Sequence, residues 1–139
     1  MKILALVTVA LIALGSTANA KTKVVKQLPY KMTGEWCFKD VNKSKETYYT
    51  EGKCKEVDDI PSDGNIVLSS MRLEFYETAC NINKIKKGVA AEFTYIVEMN
   101  CSGEGETWNE RVQIRFQPFP SLLFIKELGN QRHKPRNNQ

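Results

Sequence analysis

From Phe93 to Cys101 the side chains alternate without a break: Phe93, Tyr95, Val97, Met99 and Cys101 fall on one side, Thr94, Ile96, Glu98 and Asn100 on the other. A period of two sustained this long fits a strand with one face in a core and the other near water. It also aims Cys101 at the core. The pattern returns from Glu110 to Gln117, with Val112, Ile114 and Phe116 inward and Arg111, Gln113, Arg115 and Gln117 outward. Met71, Leu73 and Phe75 repeat it briefly. Trp36 and Phe38 flank Cys37 in the same way, the β-branched and aromatic Thr47–Thr50 suits another strand, and Leu122–Ile125 suits a last one. Turn signals separate these runs: the polar Asp40–Lys45, and Val57–Asn65 with its Pro61 and Asp63-Gly64. Downstream of the leader no segment carries a long stripe at helical spacing. Seven to eight short strands predict an all-β fold. A small antiparallel barrel, a closed meander, is favoured because closure removes the strand edges that invite aggregation.

The chain opens with Lys2, an apolar run from Ile3 to Leu14, and the small-residue site Ala18-Asn19-Ala20. This is the pattern of a cleavable export signal, cut before Lys21, and the run is shorter than the ~20 residues that span a bilayer. The expected organisation is a signal peptide over 1–20, a basic lead-in over 21–33, the β-domain over 34–128 and a disordered basic tail over 129–139. The compact, Ala-rich signal points to a bacterial periplasm or secretion, with no membrane insertion after cleavage.

Cys37, Cys54, Cys80 and Cys101 all follow the leader, and an even count in an exported chain reads as a disulfide framework. Zinc needs tighter pairs such as C-x-x-C, whereas the gaps here are 16, 25 and 20 residues, and the only imidazole is His133. No metal or cofactor is expected. Three pairings are open; Cys37–Cys54 with Cys80–Cys101 is favoured because each closes a local hairpin, with about 3 kcal/mol of loop-closure entropy apiece.

The net charge of +4 falls to +3 without the leader's one lysine, and Arg132, Lys134 and Arg136 crowd the last ten residues. The body without its tail is neutral. Composition therefore gives no reason to expect nucleic-acid binding by the folded part.

Gly34-Glu35-Trp36, at the start of the first convincing strand, resembles the G-x-W opening of lipocalin-type barrels, whose other signatures are absent here. That resemblance implies a tryptophan packed across a closed end and covered by an arginine from a late strand, for which Arg115 is the candidate. Gly34-Glu35-Trp36-Cys37 together with Cys101-Ser102-Gly103-Glu104-Gly105-Glu106-Thr107-Trp108 also resembles a family of short exported bacterial proteins of unknown function. That likeness covers most of 28–128 and all four cysteines; it implies export, disulfides and a β-domain, and carries no activity.

Few residues suggest chemistry. Gly103-Glu104-Gly105-Glu106 lacks the regular oxygen ligands of a calcium loop and reads as a hairpin turn. Glu110 sits in phase with inward Val112 and Ile114, where ionisation is costly without a partner; a place at the barrel rim is favoured over a buried acid. With Trp36 and Trp108 it forms the candidate ligand-facing set. Glu104, Glu106, Glu110, Asp58 and Asp59 could supply a carboxylate pair for glycosidase chemistry, as acidic turns do in most proteins, and no residue set suits a nucleophile. The chain reads as a non-enzymatic, monomeric binding protein for an apolar ligand or envelope component. The alternative is a protein-interaction module, such as an inhibitor of an envelope-acting hydrolase, with a carboxylate-dependent hydrolase a distant third. A continuous apolar cavity would favour the first. Apolar side chains exposed on the Lys21–Met32 arm would favour the second.

Overall fold

A computed structural model describes residues 22–54, 64–88 and 93–133. Residues 1–21, with the expected signal peptide, and residues 55–63, 89–92 and 134–139 lie outside them. The alternating runs become strands as expected: β1 (Lys23–Val25), β2 (Gly34–Val41), β3 (Thr47–Glu51), β4 (Ile66–Leu68), β5 (Arg72–Phe75), β6 (Thr78–Lys87), β7 (Thr94–Gly103), β8 (Glu106–Pro118) and β9 (Ser121–His133). Eight of them, β2 to β9, close an antiparallel barrel, and β1 lies outside it on β6.

From β4 to β9 each strand pairs with its sequence neighbours, and β9 returns to β3. The first hairpin enters this meander in exchanged order, because β2 rather than β3 sits beside β4. The described residues that follow β3 and those that lead into β4 are held to β2 by three contacts. Gly52 N donates to Glu35 O at 3.4 Å, Cys54 is disulfide-bonded to Cys37, and Phe38 N donates to Asn65 Oδ1 at 3.1 Å. Gly64 fits beneath Phe38, since a Cβ there would meet Phe38 Cβ at 2.8 Å.

Both disulfides have the pairing that locality favours. Cys80 and Cys101 face one another across β6 and β7, fully buried, while Cys37–Cys54 lies on the outer wall. Two disulfides fit an oxidising environment.

Inward residues fill the barrel axis. Trp36, Leu73, Val97, Ile114 and Leu123 have no exposed surface at all, and Ile66, Leu68, Ile85 and Met99 have 1%. Each such side chain contributes about 1.5–3 kcal/mol relative to exposure. A ligand-sized void would leave the side chains around it open to a water-sized sphere, and these are not. The lumen is solid.

Two segments carry more structure than their sequence suggested. Gly129–His133 pair with Thr107–Arg111, so the sheet runs five residues past Leu128, where the folded domain was expected to end. The long β8 supplies a backbone template there that polar residues can use as well as apolar ones. The lead-in holds β1 and a 3-10 turn, Tyr30–Met32, instead of irregular chain.

Candidate functional site

The lead-in closes one end of the barrel. Leu28 and Met32, four residues apart, are buried at 1% and 0% exposure. Between them the turn is tied by Met32 N to Pro29 O at 2.9 Å, Thr33 N to Tyr30 O at 3.0 Å and Thr33 Oγ1 to Tyr30 O at 2.7 Å. Below it, Trp36 Nε1 donates to Met32 O at 3.0 Å, so the indole N–H is satisfied while the ring fills the floor. Phe116 meets Trp36 edge-on at 6.1 Å and Phe93 at 6.0 Å. Lys31 Nζ sits 3.3 Å over the Phe93 ring.

Fixed on this floor, Tyr30 turns its ring outward and is 92% exposed. Phe119, in the β8–β9 turn at the same end, is 90% exposed, and Val24 on β1 is 61% exposed. These are large apolar groups on well-anchored backbone. Sequence reasoning treated the arm as a criterion without naming Tyr30. The spacing of Leu28 and Met32 was the available signal for what is buried, and Phe119 between Pro118 and Pro120 was the signal for a displayed turn residue.

Trp36 belongs to the closed end, whereas Trp108 and Glu110 meet at the opposite one. The candidate ligand-facing set therefore does not converge. Glu110 is half-buried; its Oε2 accepts from Trp108 Nε1 at 3.0 Å and lies 3.8 Å from Cys101 Sγ. Cys80, Cys101 and Glu110 have ligand atoms within 4.8 Å of each other, but the two sulfurs are bonded together and offer no thiolate to a metal. Glu104 and Gly105, with φ of 50° and 77°, make the two-residue β7–β8 turn read from the sequence. Asp58 and Asp59 fall outside the described residues. A cavity of about 540 Å³ opens on the β6–β9 side, lined by Asn83, Glu98, Met99, Asn109, Glu110, Arg111, Leu128, Gly129 and Asn130. Its lining mixes polar and apolar groups, and it includes Met99 of the core and the inward-phase Glu110.

The expected cover of Trp36 by Arg115 is not found. Arg115 belongs to the outward phase of β8, where its guanidinium carbon stacks 3.8 Å over Phe124. Its Nη2 and Nε donate to Glu46 Oε1 and Oε2 at 3.1 and 3.3 Å. Asn42 completes the cluster, donating to Glu46 Oε1 at 3.1 Å and accepting from Glu46 N at 2.9 Å. Burial raises the Glu46 pKa, but hydrogen bonds from Arg115 and Asn42 and the charges of Arg115 and Lys126 outweigh it, and the net shift is downward. The cluster pins the β2–β3 hairpin tip to β8.

No protein-family model, no curated protein and no solved structure matches the chain.

Proposed function

We propose that this chain is an exported, non-catalytic recognition module that engages a protein partner through the closed end of its barrel. The observation that carries this is the display of Tyr30: an almost fully exposed aromatic ring on a turn whose flanking residues are buried and whose backbone is tied down. Binding through such a group sacrifices little conformational freedom, and tyrosine is among the residues that dominate interface energetics. Phe119 and Val24 extend the apolar surface at that end. A solid lumen speaks against the first expectation, an apolar ligand held along the axis. The leader sequence and two disulfides support maturation in the periplasm or outside the cell. An inhibitor of an envelope-acting hydrolase is the partner relation that fits best, since a rigid, stapled body resists the enzyme it blocks.

The test is a titration of the oxidised protein against a panel of envelope hydrolases, namely muramidases, amidases and peptidases, scored for stoichiometric loss of activity. One enzyme is expected to be inhibited, with Tyr30→Ala weakening inhibition at least tenfold. Inhibition that Tyr30→Ala and Phe119→Ala leave untouched, or none across the panel together with a partnerless monomer in periplasmic extract, overturns the reading.

A further inference from the structure

The neutral composition of the body hides a segregation of charge. β1 pairs with the end of β6 so that Lys23 stands opposite Lys87 and Val24 opposite Lys86, with Lys26 just beyond. Directly opposed residues in an antiparallel pair have Cβ atoms about 5 Å apart, and like charges there repel. The ion pairs seen between described residues are Arg72–Glu74 and Arg115–Glu46, and no described carboxylate pairs with these lysines. Acids cluster instead at the other end, with Glu77, Glu104 and Glu106 in or beside the β5–β6 and β7–β8 turns.

β1 is also the one strand outside the closed ring. It pairs with β6 on one side, and among the described residues no backbone hydrogen bond reaches it from the other. Among the described residues its far side is an open strand edge, and Val24 beside it is exposed. An unpaired edge takes an extended segment by main-chain hydrogen bonds, and neighbouring side chains select which segment. Lysines on an edge discourage chains without negative charge.

We infer that the open edge of β1 receives an extended acidic segment of the partner protein, which adds as a further strand with its carboxylates on the face that carries Lys23 and Lys87. This rests on the recognition reading above and adds the partner's chemistry. Mutual repulsion of the lysines in the free protein is relieved on binding, which makes the contact salt-sensitive and selective for acidic strands over neutral ones.

The probe is a fluorescein-labelled peptide of eight residues alternating glutamate and valine, titrated into the intact oxidised protein and followed by anisotropy and amide hydrogen exchange. Binding is expected at low salt, falling at least tenfold for Lys23→Glu/Lys87→Glu, with new protection of amides in residues 22–26. Lys23→Gln is the companion variant should the double substitution unfold the domain, with a smaller loss expected in the same direction. Three results overturn the inference: no binding by the wild-type protein, equal binding of a glutamate–proline peptide that cannot form a strand, or dimerisation of the protein through β1 without peptide. Because the probe touches only the edge, an inert edge alongside a Tyr30-dependent partner removes this inference and leaves the recognition reading standing.

Discussion

Removing Cys37–Cys54 and removing Cys80–Cys101 are expected to have different consequences, although their loops are similar in length. The sequence separations are 17 and 21, and loop-closure entropy gives about 3 kcal/mol for each. The difference lies in surroundings. Cys37 and Cys54 are half-exposed on the outer wall, so alanines there lose the entropy term and little else. Cys80 and Cys101 are fully buried, and alanines leave a cavity worth about a further 1–2 kcal/mol. The totals are about 3 and about 4–5 kcal/mol, large against the 5–15 kcal/mol typical of a domain. Urea denaturation of the oxidised wild type and the two double-alanine variants measures both. Hydrogen exchange adds a spatial check, because only loss of the outer clasp should release Gly52–Cys54 from β2 and deprotect Ile66–Leu68. An outer-clasp variant within about 1 kcal/mol of wild type, with β4 still protected, would refute the claim that this disulfide holds the exchanged strand order.

Glycine substitutions separate close packing from open surface. Gly103→Ala should cost about 1–3 kcal/mol in urea melts, because its Cβ would stand 2.6 Å from Glu77 O and 2.8 Å from Thr78 Oγ1, whereas Gly129→Ala, with nothing within 4 Å, should be nearly silent. Glu46 sets an acid limit: its folded pKa lies below the ordinary value of 4.5, so its contribution is fully present above about that pH and is lost as pH falls through the folded pKa. Glu46→Gln should flatten the acid limb of stability measured by thermal melts across that window. Trp36→Phe removes the indole donor to Met32 O and leaves a gap in the floor, costing about 2–4 kcal/mol and raising hydrogen exchange in residues 30–33 before the rest of the barrel.

Much of the barrel was legible because its determinants are local. The alternation in β7 and β8 follows from one face being buried, and the hairpin turn within Gly103–Glu106 from its glycines, although positive φ falls on Glu104 and Gly105 and not on Gly103. The disulfide pairing came from hairpin proximity. What escaped depends on which distant strands meet. Nothing between Glu51 and Ile66 says that β4 lies beside β2 rather than β3. Lys23 and Lys87 are far apart in the chain, so net charge gave no hint of a basic edge until β1 and β6 were paired. Trp36 and Glu110 shared an inward phase in the sequence, but phase specifies a face and not a height along the axis, and they lie at opposite ends. Arg115 shows the reverse error: its outward phase was plain, and the G-x-W resemblance pulled it toward Trp36 against that phase.

Native mass spectrometry of the protein gently purified from the cells that make it tests the central claim most directly. The account predicts a processed chain with no free thiols, held one-to-one by another protein and released by Tyr30→Ala. A lone chain carrying a small apolar molecule and no protein partner would contradict it.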